Sequence, residues 1–168
     1  MNAVNSMTMT AGELRELRAD IEDFHCAYCA MLDEGHLDQW PDYFTEDAIY
    51  RVTSRENFDA GLPAGLVYAE GGTMLRDRAY AIGNTQMFAP RTVLHYVANV
   101  RVLGAEGGGI VARANYLLLQ TLIEGPTTLH QAGSYHDVFV RRAGRLLLRE
   151  RQCVYDTVLV ANDLVYPV

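Results

Sequence analysis

With 168 residues, 49% of them hydrophobic and 21% charged, the chain has the size and composition of one ordinary globular domain with a full core. A formal net charge of −7 and a pI near 5.1 argue against nucleic acid or an anionic membrane as partner, since neither tolerates an acidic field without a concentrated basic stripe. No apolar run is long enough to span a bilayer, no basic start and apolar core mark a leader, and three cysteines without a repeating pattern fit a reduced chain, so a cytoplasmic location is expected.

Residues 1–9 are polar and aperiodic and are expected to form a flexible arm, with 10–168 making a single domain. Thr10 and Glu13 have the spacing of a capping box, which starts a helix. Leu14, Leu17, Ile21, Phe24, Tyr28, Met31 and Leu32 then recur at steps of three and four, one apolar face of a helix that Gly35 ends. At about 1.5 Å per residue the helix is roughly 30 Å long and covers much of whatever it packs on. A short helical corner over 37–44, interrupted at Trp40-Pro41, drives Trp40 and Phe44 inward. Glu46-Asp47 reads as a turn before a first strand over 48–53, 54–65 as loop, 66–69 as a short strand, and 74–82 as a helix capped by Thr73 and closed by Gly83-Asn84.

Residues 91–156 carry the bulk of the fold. In the first long strand Leu94, Tyr96, Ala98, Val100 and Val102 are expected to face apolar surroundings, while Val93, His95, Val97, Asn99 and Arg101 form a mixed face. Reversals at Gly107-Gly108-Gly109, Gly125-Pro126 and Ala143-Gly144 separate further strands over 110–123, 129–141 and 146–160, giving an antiparallel meander. Helices and short strands followed by four long strands close only if the sheet curls. The expected class is α+β, a strongly curved, mostly antiparallel sheet wrapped as a cone around the long N-terminal helix and shorter helices.

Motifs that carry chemistry are sparse. Cys26 and Cys29 have C-x-x-C spacing, but they lie inside the first helix rather than at its N-terminus, and no second pair completes a zinc site. A site from His25, Cys26, Cys29 and His36 conflicts with the roughly 100° between neighbouring helical side chains. No cysteine precedes a histidine at the spacing of a Rieske cluster, and His25, His36, His95, His130 and His136 are scattered. There is no G-x-S-x-G, and the triple glycine lies between strands without a phosphate-binding helix. All fourteen basic residues are arginines, which rules out a Schiff-base lysine and suits bidentate pairing with carboxylates. Arg141, Arg142, Arg145, Arg149 and Arg151 straddle one hairpin on alternating faces and read as salt-bridged or partner-facing groups. Acid–base chemistry would have to come from Asp47, Tyr50, His95, Tyr116 or Tyr135 around a cavity in the half-barrel, although a strand histidine near Asn99 is more often a hydrogen-bonded structural group.

The run from Leu37-Asp38-Gln39-Trp40-Pro41-Asp42-Tyr43-Phe44 to Ala48, the stretch Arg91-Thr92-Val93-Leu94-His95-Tyr96-Val97-Ala98-Asn99-Val100-Arg101, and Gly133-Ser134-Tyr135-His136-Asp137-Val138-Phe139 with Gly144, Arg149 and 151–156 resemble the small (β) subunit of aromatic-ring-hydroxylating dioxygenases. The ending is similar to the subgroup acting on benzoate-type acids such as salicylate or anthranilate. The resemblance implies the cone of nuclear transport factor 2 and ketosteroid isomerase (NTF2-like), and a chain without catalytic, cofactor-binding or metal-binding residues of its own. It further implies a large (α) subunit holding a Rieske [2Fe-2S] cluster and a mononuclear Fe(II), an α3β3 assembly, and electrons from NAD(P)H through separate electron-transfer components. Trp40, Arg91, His95, Asn99, Tyr135, Asp137, Arg141, Arg149 and Arg151 are the candidates for structural or partner-interface roles. The rival readings are a free-standing isomerase, dehydratase or cyclase of a small hydrophobic substrate, and a ligand-binding module without chemistry.

Overall fold

The computed structural model describes residues 9–85, 87–157 and 164–168. Helix α1 spans Ala11–Asp33 and opens with the capping box: the Thr10 amide donates to Glu13 Oε2 at 2.8 Å, and the Glu13 amide donates to Thr10 Oγ1 at 3.2 Å. At its far end Gly35 adopts φ +81°, the amide of Gly35 donates to the Leu32 carbonyl, and that of His36 to the Met31 carbonyl. This is the paired closure that a left-handed residue after the cap permits. A 3-10 helix over Leu37–Tyr43 follows and buries Trp40 completely.

The sheet contains β1 (Phe44–Ser54), β2 (Val67–Glu70), β3 (Arg91–Glu106), β4 (Gly109–Leu122), β5 (Thr127–Arg142) and β6 (Arg145–Tyr155), in the order β2-β1-β6-β5-β4-β3. Strands β3 to β6 make the expected antiparallel meander. Strand β1 returns beside β6 in the parallel sense, with Tyr50 opposite Arg151 and Val52 opposite Cys153. Bulges between Ala98 and Arg101, Leu118 and Leu119, and Val138 and Phe139 break the ladders. Each adds local twist, and together they bend the sheet around α1.

Several expectations need correction. Glu46-Asp47 is not a turn before the first strand but an irregularity inside it, between Phe44 and Ile49. The stretch 54–65 holds a short helix, α2 (Arg55–Asp59), which Ser54 caps by accepting from the Asn57 amide at 3.2 Å. Helix α3 spans Gly71–Asn84 and is not capped by Thr73, because β2 stays paired to β1 as far as Glu70 and the chain turns into helix at Gly71, whose φ is +78°. In β3 the faces are reversed. Val93 and His95 are buried and Val97 half-buried, while Leu94 and Tyr96 are 44% and 56% exposed. Asn99, at φ +58°, lies in the bulge where the phase shifts and returns Val100 to the interior.

Residues 1–8 of the expected arm lie outside the described residues, and Met9 packs partly buried against the core. Strand β6 ends at Tyr155, and 158–160 of the strand expected there also lie outside them. Inside the cone the concave face of the sheet and α1 enclose Tyr28, Trp40, Tyr50, Tyr116, Tyr135, Phe139 and Leu148, all essentially inaccessible to solvent.

Candidate functional site

The interior of the cone holds two polar groupings, and strand register creates the first. Asp137 on β5 stands directly opposite Arg151 on β6. The guanidinium donates from Nε to Asp137 Oδ1 at 2.9 Å and from Nη2 to Oδ2 at 2.7 Å, a bidentate pair with both side chains buried. Its Cζ lies over two rings, 4.4 Å from the centroid of Tyr28 and 4.1 Å from that of Tyr135. Burial works against the charge, but the Asp137 carboxylate prevails and holds the Arg151 pKa well above the ordinary arginine value.

His25 of α1 completes this grouping, with Nδ1 3.2 Å from Arg151 Nη2 and Nε2 3.8 Å from Asp137 Oδ2. Burial, and then the Arg151 charge, push its pKa well below the usual histidine value. The ring is therefore neutral and Nδ1 accepts from the guanidinium. His136, on the opposite side of β5 against the Phe58 ring, is pushed down to about 4 by burial and by the Arg113 and Arg55 charges.

These two histidines predict acid sensitivity above the carboxylate range. Unfolded, each titrates near pH 6.5. Folded, both resist protonation, so unfolding takes up protons below that value, and stability present above about pH 6.5 is lost as pH falls toward 4. Urea midpoints are expected to fall between pH 7 and about 5, with a shallower slope in His136→Gln. A midpoint independent of pH over that window would contradict the assignment.

The second grouping lies at the open end of the cone. Asp33, in the last turn of α1, accepts from the His95 backbone amide at 3.1 and 3.2 Å and faces His95 Nδ1 at 2.6 Å. The other ring nitrogen, Nε2, lies 3.2 Å from the Pro167 carbonyl. Beyond it the Trp40 Nε1–H donates to the Tyr28 hydroxyl at 2.9 Å, Tyr28 donates to the Val168 carbonyl at 3.3 Å, and the Val168 amide donates to the Tyr50 hydroxyl at 2.8 Å. An imidazole oriented by a carboxylate is the pairing of a general base with its positioning group. Here its free side meets the chain's own backbone.

Of the residues singled out from sequence, Trp40, His95, Tyr135, Asp137 and Arg151 come together inside the cone. Asn99 is exposed at its bulge. Arg91 donates to the Ala89 carbonyl and to Gln120 Oε1. Arg149 donates to the carbonyls of Gly107 and Glu106 and so ties down the β3–β4 turn, and Arg141 pairs with Asp20 on α1. Asp47 is exposed. Tyr50 and Tyr116 line the interior, Tyr116 donating to Gln131 Oε1 at 2.7 Å. Sequence reasoning did not find Asp33, Tyr28 or residues 164–168 as parts of this site. Asp33 had one local signal, a carboxylate in the last turn of a helix, where the macrodipole disfavours it unless a partner compensates.

Cys29 and Cys153 are buried, and burial pushes the Cys29 thiol up to about 12, which removes Cys29 from thiolate chemistry. Among the described residues no group of three His, Cys, Asp or Glu side chains is placed to hold a metal ion, and no described helix is long and apolar enough to cross a membrane.

A family model for the SnoaL-like domain matches residues 13–152. The small subunit of anthranilate 1,2-dioxygenase from Burkholderia cepacia is 33% identical over 141 residues, which cover 84% of this chain and 88% of that relative. Subunit beta 2 of the terminal oxygenase component of terephthalate 1,2-dioxygenase from Comamonas sp is 30% identical over 147 residues, covering 88% and 96%. A crystal structure from Novosphingobium aromaticivorans, assigned as the beta subunit of an aromatic-ring-hydroxylating dioxygenase, superposes with a TM-score of 0.83 at 36% identity and covers 92% of this chain and 98% of that one.

Proposed function

Because the chain belongs to the SnoaL-like family and, within it, to the small subunits of aromatic-ring dioxygenases, we propose that it is the scaffold subunit of an oxygenase that adds oxygen to a carboxylated aromatic ring. In this reading a large subunit carries a Rieske cluster and a mononuclear iron, three copies of each chain assemble as α3β3, and NAD(P)H supplies electrons through separate cytoplasmic components. One observation carries the scaffold role: the His95 imidazole and the Tyr28 and Tyr50 hydroxyls are spent on the chain itself, with His95 between Asp33 and Pro167, and Tyr28 and Tyr50 on Val168. The outward face of the sheet supports a partner, because Leu94, Tyr96, Leu117 and Leu129 leave an apolar area 44–58% exposed across β3, β4 and β5. Such areas on isolated chains mark protein contacts.

The His95–Asp33 pair is the one feature that favours the rival reading, an isomerase or dehydratase acting inside the cone. One set of samples separates the two. The chain is produced with a partner carrying C-x-H and C-x-x-H, assembly is quantified by size exclusion, and turnover is measured per assembled complex for the parent and for His95→Ala, Asp47→Asn and Tyr135→Phe. Under the scaffold reading all three keep activity per complex within a few-fold of the parent, and the chain purified alone contains no stoichiometric iron. A loss on the order of a hundredfold in fully assembled His95→Ala would make the histidine a general base and overturn the scaffold role.

A further inference from the structure

The outer face of the sheet carries a row of cations that the chain itself does not neutralise. Arg101 on β3 stands directly opposite Arg113 on β4, and Arg113 stands directly opposite His136 on β5. Both arginines are exposed, and neither has a carboxylate within ion-pair distance among the described residues. Arg18, Arg55, Arg76 and Arg141, by contrast, each pair with a carboxylate of the chain. Like charges directly opposite on a ladder destabilise it, and these two stay unpaired although acidic residues outnumber basic ones by 21 to 14. His136 supplies no counter-charge, because burial and the Arg113, Arg55 and Arg101 charges keep its ring neutral. A left-handed residue puts the row in place. Val93 and His95 point inward, and unbroken alternation would turn Arg101 inward with them. The bulge at Asn99, with φ +58°, shifts the phase, so that Val100 is buried and Arg101 faces out opposite Arg113.

The row borders a trough of about 540 Å³ on the same face. Ala98, Asn115 and Ser134 lie along it in one cross-strand row, and Arg55 stands at its end. Tyr96 and Leu117 form the neighbouring row on one side, and Arg101 and Arg113 are the next outward pair on the other. An apolar wall facing two unpaired guanidinium groups fits a segment that presents a bulky apolar side chain next to carboxylates. The apolar side continues into the exposed Leu94 and Leu129, a surface wider than the trough, which favours a protein over a small molecule. We propose that this face receives the large subunit, through a segment that sets carboxylates on Arg101 and Arg113 and an apolar side chain against Tyr96 and Leu117. This rests on the scaffold reading above and adds to it the face that docks and the charge of what it meets.

Competition for the large subunit provides the test. A partner carrying C-x-H and C-x-x-H is co-produced with tagged parent and untagged variant chains, and the complex is isolated by way of the partner. Mass spectrometry then compares the ratio of the two chains in the complex with their ratio in the free pool. Arg101→Glu combined with Arg113→Glu is expected to enter the complex at about one tenth of the parent level or less, because the partner's carboxylates then meet like charge. Arg15→Glu combined with Arg18→Glu makes the same change in net charge on the exposed face of α1, and it is expected to enter as the parent does. Single Arg101→Glu separates docking from folding. It places opposite charges across β3 and β4, so the urea midpoint of the chain alone is expected to rise while entry into the complex falls to about a third or less. Equal entry of the double variant, an equal fall in the α1 control, or a lowered urea midpoint in Arg101→Glu overturns the proposal. If the parent itself enters no complex, the scaffold reading fails and the docking face falls with it. If parent and double variant enter equally, the docking face alone is wrong.

Discussion

Asp137→Ala is expected to destabilise the fold by about 3–5 kcal/mol, among the largest effects available to a single change in this chain. The reason lies in what the substitution leaves behind. Arg151 is completely buried, donates two hydrogen bonds to the Asp137 carboxylate, and among the described residues has the rings of Tyr28 and Tyr135 and the His25 nitrogen as its other close partners. Without the carboxylate a guanidinium charge stays in the interior without its counterion. Aromatic faces offset a fraction of that, on the order of 1–2 kcal/mol. Urea unfolding at neutral pH measures the loss, provided the slope with denaturant is unchanged. The paired replacement Asp137→Leu with Arg151→Met removes both charges while keeping volume, and it is expected to recover most of the stability. A single variant within about 1 kcal/mol of the parent would show that the pair is hydrated in solution, contrary to its burial here.

Trp40→Ala is expected to cost about 3–5 kcal/mol and to loosen the open end of the cone as a unit. The indole is 0% exposed, meets Phe44 and Tyr50 edge to face at 5.4 and 5.0 Å, and donates to the hydroxyl of Tyr28, which in turn holds Val168. Truncation thus removes a large apolar surface, two ring contacts and the donor that orients the next hydrogen bond. Trp40→Phe keeps most of the apolar surface and loses the N–H, so its cost is expected to be nearer 1–3 kcal/mol. Because Trp40 is the only tryptophan, its fluorescence follows unfolding of this cluster in the parent, and circular dichroism follows the variants. If Trp40→Phe proved as costly as Trp40→Ala, the hydrogen bond rather than the packing would be the larger contribution.

Local rules made much of the frame legible. The Thr10–Glu13 box, the three-and-four spacing of apolar residues and Gly35 define α1 because capping and amphipathicity are satisfied within a few residues of chain. The glycine-bearing reversals define the β3–β6 meander for the same reason. Alternation along β3 was legible as a strand but not as a face. Both phases carry apolar residues, and the bulge at Asn99 changes phase in mid-strand, so the face turned inward depends on the helix that packs there.

Capping, apolar spacing and glycine reversals thus specify α1 and the β3–β6 meander, and resemblance along most of the chain specifies the family. Which polar groups meet depends instead on long-range packing. Arg151 and Asp137 lie on different strands, His25 on a helix over a hundred residues earlier in the chain, and Asp33, His95 and Pro167 on three separate elements. An arginine in a hairpin reads as a surface group because isolated charge does not survive burial. It is buried here because strand register supplies the Asp137 carboxylate and the Tyr135 ring while α1 supplies the Tyr28 ring, a coincidence of long-range contacts that no local pattern records. The same holds for residues 164–168, whose place inside the cone is set by side chains on four other elements and by nothing in their own composition.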